Sequence, residues 1–195
     1  MKTIDAVRIH KFLADAGYCS RRAAEVLVTE GAVTINGNPA QIGVKVVPGT
    51  DKIRVHGSLV HSTEQPKVTL AIHKPKGLVC TNRDQHNPHT IFDLLTKDLN
   101  KLRFFCAGRL DKGSEGLVIL TTDGSLANRL MHPSSLIVKQ YRVWLKTPLP
   151  KSKLAILTKG LTYEGDRLKV EKARLMGQRN ISESQIIDVQ MHHGK

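Results

Sequence analysis

At 195 residues the chain is long enough for one large domain or two small ones, and a 40% share of hydrophobic residues suffices for a core. The formal charge is +13 and the pI near 9.9, a balance that favours a polyanionic partner because each neutralised phosphate releases counterions. Apolar runs reach only about four or five residues against the roughly 20 of a membrane span, and Met1–Asp5 lacks the apolar stretch of a signal peptide, so a cytosolic protein is expected.

Val7, Ile9, Phe12, Leu13 and Ala16 recur at near-helical spacing, with Gly17 as a stop. Ser20 can N-cap a second helix that runs to about Glu30 and is closed by Gly31. Val33–Ile35 is strand-like, Asn36-Gly37 is a hairpin signal, and Pro48–Asp51 is a turn before the alternating strand Lys52–Val55. The polar stretch Ser62–Lys67 contains Pro66 and reads as a linker. It suggests a small N-terminal domain over 1–62, a linker over 63–67 and a larger domain over 68–195. Residues 1–62 carry eight Lys/Arg against five Asp/Glu, and 63–195 carry 22 against 12, so neither part is an acidic tail.

After the linker, Val68–Ile72 reads as a strand and Lys74-Pro75-Lys76-Gly77 as a turn. Ile91–Leu95 fits a short helix, and Leu117–Leu120 a fully buried strand. Ser125 can cap a helix ending before Pro133. Gln140–Lys146 alternates, with Tyr141, Val143 and Leu145 on one face. Leu154–Lys159 is helical and stops at Gly160. Leu168–Leu175 and Ser184–Met191 are later strands. Strands mixed with helices indicate an α+β class.

Cys19, Cys80 and Cys106 are odd in number and widely spaced, which suits a reducing compartment and no disulfide framework. His86-x-x-His89 and His192-His193 lack cysteine or carboxylate companions at ligand spacing, so no metal site is expected. Ser114, His132 and Asp123 have no nucleophile elbow to make them a hydrolase triad.

The run from Gly108 through Arg109, Leu110, Asp111, Lys112, Gly113, Ser114, Glu115 and Gly116 to Leu117 reads as a loop feeding a strand, with one carboxylate between Arg109 and Lys112. Nearby cations favour a charged carboxylate, which can serve as nucleophile or base. A structural Arg–Asp pair at a turn fits the same local pattern. In the first domain, Arg21 and Arg22 sit in the first turn of a helix, where free backbone N–H groups and paired guanidiniums both favour phosphate.

Larger blocks carry a resemblance. Arg8, Lys11, Gly17–Arg22 and Gly31–Gly37 resemble the S4 RNA-binding domain over about residues 7–60. That resemblance implies RNA contacts at Arg8, Lys11, Ser20, Arg21 and Arg22, and recognition of folded RNA through shape and backbone. The Asp111 run, the Lys74–Gly77 turn, Asp123–Pro133 and Lys139–Tyr141 resemble pseudouridine synthases of the RsuA/RluB/RluE/RluF family, which modify ribosomal RNA. Ser114 fills the family's Thr/Ser slot. The resemblance implies an N-terminal S4-like domain of two helices and short strands, then an α+β catalytic domain with a mainly antiparallel mixed sheet. It makes Asp111 the nucleophile, attacking the uridine at the base or at C1′ of the sugar, and Tyr141 the residue that stacks on the target base. Leu117 would line the pocket and Arg109 would help hold the flipped state. Lys74 and Lys76 would contact phosphate, although a plain basic turn suits them equally. No cofactor or metal is implied, because nothing is oxidised and no water is consumed. A monomer acting on ribosomal RNA, or on a ribosomal-subunit assembly intermediate, in the cytoplasm is expected.

The family continues past a Gly-Lys or Gly-Arg pair into an arginine-rich motif, a helix and a strand, whereas this sequence ends at Gly194-Lys195. The resemblance therefore implies a shortened form with reduced activity. It also leaves open a non-catalytic RNA-binding or assembly protein, which would have no need of Asp111. The wording of the Asp111 run leans toward the large-subunit members.

Overall fold

A computed structural model describes residues 5–61, 66–81, 89–176 and 185–192. It is α+β, and its contacts divide it into two compact units, 1–128 and 129–195.

The first unit opens with β1 (Val7–Arg8) and α1 (Ile9–Asp15), followed by α2 (Arg21–Thr29). Ser20 caps α2 as its spacing predicts: its Oγ accepts from the Ala23 N–H at 3.0 Å. Gly17 and Gly31 close the two helices at φ 75° and 73°, a region open to glycine at little steric cost. Strands β2 (Val33–Ile35), β3 (Asn38–Pro39), β4 (Lys45–Val46), β5 (Ile53–Val55) and β6 (Ser58–Leu59) follow. Asn36 and Gly37 take φ 52° and 89° in the β2–β3 turn, which gives a two-residue hairpin the twist its strands need. Asn36 also ties this turn to the next one. Its Nδ2 donates to Asp51 Oδ1 at 2.9 Å and its Oδ1 accepts from the Lys52 N–H at 2.9 Å. The N–H of Val47, then the Asn36 amide, hold the Asp51 carboxyl below its usual range. Ile9, Phe12, Leu13, Ala24, Val28, Val33, Val46, Ile53 and Val55 form one buried cluster. Each large member contributes about 1.5–3 kcal/mol by leaving water.

The same unit contains a separate three-stranded antiparallel sheet of β7 (Thr69–Lys74), β8 (Phe105–Cys106) and β9 (Gly116–Thr121), in the order β7-β9-β8. Its register sets Thr69 opposite Thr121 and Lys74 opposite Gly116. Cys80, Ile91, Phe104, Val118 and Leu120 form its core. The expected helix at Ile91 is a tighter 3-10 turn, Ile91–Leu94, opened by a capping box between Thr90 and Asp93. Two expectations are corrected here. The strand β9 is not buried throughout: Val118 and Leu120 face the core, while Leu117 is 68% exposed. The helix α3 (Gly124–Met131) is capped by Asp123 rather than Ser125, because Asp123 Oδ1 accepts from the Ser125 and Leu126 N–H groups at 2.8 and 3.2 Å. The Ser125 hydroxyl and the Leu126 N–H lead the interactions that hold the Asp123 carboxyl well below the usual range.

In the second unit, β10 (Lys139–Leu145), α4 (Leu154–Lys159), β11 (Leu161–Tyr163), β12 (Asp166–Leu168), β13 (Lys172–Met176) and β14 (Gln185–Met191) follow in order. Strand β14 lies between β10 and β13, antiparallel to both. Ile187 and Val189 are its buried side chains. The expected strand Leu168–Leu175 divides into the end of a hairpin, β11–β12, and the start of β13. The hairpin turns at Glu164 and Gly165, φ 50° and 83°. Residue 184, the expected start of the last strand, lies outside the described residues, as do 62–65 of the expected linker.

Candidate active site

Strand β8 ends at Cys106, and the chain reaches β9 through residues 107–115. The loop is fastened along its length through its backbone. The Ala107 N–H donates to Ile119 O at 2.8 Å, and the Leu110 N–H approaches Cys80 Sγ at 3.5 Å. The Gly77 N–H donates to Lys112 O at 2.7 Å, and the Ser114 N–H closes a turn onto Asp111 O at 3.0 Å. Gly116 opens β9 at φ 139°, a conformation that disfavours other residues, and an added Cβ would lie 3.6 Å from Leu110 Cδ1.

The fifth fastening is Lys74. The sequence left it as a phosphate contact or a plain basic turn; in the structure Lys74 is 0% exposed, which is at odds with a phosphate contact, and its Nζ donates to Ser114 O at 2.7 Å and Pro75 O at 3.0 Å. A buried ammonium is tolerated only where polar groups replace its water. Here the two carbonyls of neighbouring turns do so, and the cation joins the 74–77 turn to the Asp111 loop. Lys76, in contrast, is exposed.

Asp111, Arg109 and Leu117 are all exposed around this loop. Among the described residues no salt bridge joins Arg109 to Asp111. Backbone bonds and Lys74 fasten the turn instead. The arrangement presents a carboxylate on a fixed support, which is what a nucleophile needs if its approach to a substrate is to be reproducible. Behind the loop, Cys106 lies beside Cys80. Burial, and then the neighbouring Cys80, push the Cys106 thiol up to about 12. Such a thiol is a poor nucleophile at neutral pH.

Tyr141 belongs to the second unit. It is half-buried on β10, at a groove of about 510 Å³ lined also by Gln140, Arg142, Lys172, Arg174 and Asp188. Arg142 is committed within that unit: Nε and Nη2 donate to the two Asp188 carboxylate oxygens at 2.8 and 2.9 Å. That bond leads the interactions that keep the Asp188 carboxyl below its usual range, with the charges of Arg142 and Arg174 acting in the same direction.

In the N-terminal module, Arg8, Arg21 and Arg22 are exposed, with Arg21 and Arg22 in the first turn of α2. Ser20 is engaged as the cap. The Lys11 ammonium pairs with Asp15 one turn along α1. His89 faces Asp93 at 3.6 Å and His192 pairs with Glu171, while His86 and His193 lie outside the described residues. Among the described residues, no three His, Cys, Asp or Glu side chains converge as metal ligands. One contact went unread in the sequence: Arg103, just before β8, donates to the carbonyl of Cys19. Its only sequence signal is a lone cation in the apolar run Leu102–Cys106.

The comparisons agree with this layout. Residues 68–195 match the family model described as RNA pseudouridylate synthase, and residues 7–52 match the S4 domain. The chain thus belongs to the RNA pseudouridylate synthase family and has an S4 domain at its N-terminal side. It is 39% identical over 181 residues to ribosomal large subunit pseudouridine synthase B of Salmonella typhi, covering 90% of this chain and 62% of that protein. With the enzyme of the same name from Xylella fastidiosa it shares 40% over 177 residues, covering 87% and 37%. A solved structure described as a pseudouridylate synthase superposes with a TM-score of 0.61 at 26% identity, covering 97% of this chain and 78% of that one. The chain spans 62% of the length of its Salmonella relative.

Proposed function

We propose that this chain isomerises a specific uridine of ribosomal RNA, in the large subunit, to pseudouridine, with Asp111 as the nucleophile. The supporting observation is the Asp111 loop itself: an exposed carboxylate whose backbone is fastened at Leu110, Lys112 and Ser114 by Cys80, Gly77 and Lys74. In this reading Asp111 adds to the uridine, the N1–C1′ bond breaks, the uracil turns and rejoins C1′ through C5, and the bond to Asp111 breaks to return the free carboxylate. The C5 proton leaves and N1 gains one, so atoms balance without cofactor or water. Family resemblance gives Tyr141 the stacking role on the target base and makes it a candidate to take the C5 proton. Lifting a uridine from its stack costs a few kcal/mol; the exposed Arg109 is the residue we assign to holding it out, with the exposed Leu117 lining the pocket. Arg8, Lys11, Arg21 and Arg22 would bind the RNA backbone, with module 1–62 joined through 63–67 to module 68–195. In this reading the chain works in the cytoplasm, and we infer that it does so as a monomer.

The test is Asp111→Asn, which keeps shape and removes the nucleophilic charge. Pseudouridine formation on ribosomal RNA should fall at least about 10³-fold, while RNA affinity stays within twofold. Wild-type protein that binds the RNA and forms no pseudouridine would favour the non-catalytic binder instead.

A further inference from the structure

The first unit contains two cores that share no residue. One holds α1, α2 and the strands β2, β4 and β5; the other lies under β7, β8 and β9. We propose that Arg103 is a positioning residue that clasps these two modules together, and so sets where RNA held at Arg21 and Arg22 lies relative to Asp111. The inference rests on the reading that Asp111 reacts with RNA.

Five observations carry it. Arg103 is half-buried, and its Nη1 donates to the carbonyl of Cys19. Cys19 immediately precedes the Ser20 cap of α2, and Arg21 and Arg22 follow the cap. The Arg103 guanidinium lies 5.9 Å from the centre of the Phe105 ring, and Phe105 pairs with Thr121 in the sheet. Burial raises the Cys19 thiol while the Arg103 charge pulls it back. The strand that follows Arg103 leads directly through Ala107 into the Asp111 loop.

The chemistry suits a clasp. A backbone carbonyl cannot be lost by protonation, and a planar guanidinium can donate to it while resting on an aromatic ring. Each core has its own buried side chains, so removing Arg103 frees one module from the other without emptying either. An RNA bound mainly at Arg21 and Arg22 gains from the fixed spacing, because delivery of its target uridine to Asp111 then becomes an intramolecular step of the bound complex. An RNA that reaches only the Asp111 loop gains nothing from it.

The experiment uses the full chain with Arg103→Met, which keeps the stem and loses the donor, and Arg103→Lys, which keeps a donor. Turnover is measured on a long folded ribosomal RNA fragment and on a minimal stem–loop, beside thermal melting and the small-angle scattering radius. Arg103→Met should lower kcat on the long fragment about tenfold, the effect of one charged hydrogen bond. Its affinity for that fragment, its melting temperature and its turnover of the stem–loop should hold, and the scattering radius should rise. Arg103→Lys should restore part of the loss. Equal loss on both RNAs, or no loss on either, overturns the proposal. Wild-type protein inactive on both RNAs would defeat the proposed function but not this inference. Scattering then decides: an unchanged radius in Arg103→Met overturns the clasp, and an increase supports it.

Discussion

Replacing Lys74 with methionine separates two roles for a lysine tied to the loop of the proposed nucleophile. Methionine keeps most of the stem but donates nothing. Ser114 O and Pro75 O lose their donor, at about 1–3 kcal/mol for each group left unsatisfied. Against this, an ammonium with no exposed surface no longer has to leave water, which returns several kcal/mol. The terms are similar in size and opposite in sign, so unfolding free energy should change by less than about 2 kcal/mol. The loop behaves differently. Its tie at Ser114 is gone, and displacement of a reacting group by about 1 Å can cost about 10²-fold in rate. Lys74→Met should therefore lower single-turnover pseudouridine formation about 100-fold, with RNA affinity unchanged and a melting temperature near wild type. Loss of affinity at unchanged kcat would refute the reasoning, since that is the signature of a phosphate contact.

Asp123→Ala should destabilise the chain by about 1 kcal/mol through the lost α3 cap, measured by urea unfolding at pH 7. Because the folded Asp123 carboxyl is held below its unfolded value, its contribution is complete above about pH 4 and fades as pH falls further; a wild-type advantage that grew on acidification would contradict this. Leu117→Ala should leave stability within about 0.5 kcal/mol, as for an exposed side chain, yet reduce turnover. Its melting curve and rate, taken together, test whether an exposed leucine beside Asp111 serves the substrate. Cys106 should resist iodoacetamide at pH 8 in the folded chain and react once urea unfolds it, as mass spectrometry of the alkylated peptides would show.

What the sequence reveals here is what local chemistry decides. Ser20 before a polar, amphipathic segment and Asn36-Gly37 between short apolar runs could each be read correctly, because the partners lie within a few residues. Leu117–Leu120 misleads for a physical reason. Four apolar residues in succession hide the alternation of a strand, and only the register against β7 shows that one face is open. Asp123 and Ser125 are both good cap residues, so the choice between them depends on backbone direction. Lys74 and Arg103 were illegible because their acceptors are backbone carbonyls 40 and 84 residues away. No side-chain pattern announces a carbonyl, and composition counts both residues as surface charge.

On the proposed reading, the same two residues would let a strongly basic chain keep chemistry apart from affinity. Exposed cations such as Arg21 and Arg22 attract any polyanion, and their contribution weakens with salt. Lys74 is removed from solvent, and Arg103 is half-buried and bonded to carbonyl oxygen, so salt reaches them less and their work is geometric. Rising salt should then weaken RNA binding steeply while the rate of the bound complex holds. Neutralising Lys74 should do the reverse. That opposition distinguishes cations that gather RNA from cations that shape the site, and net charge alone cannot make the distinction.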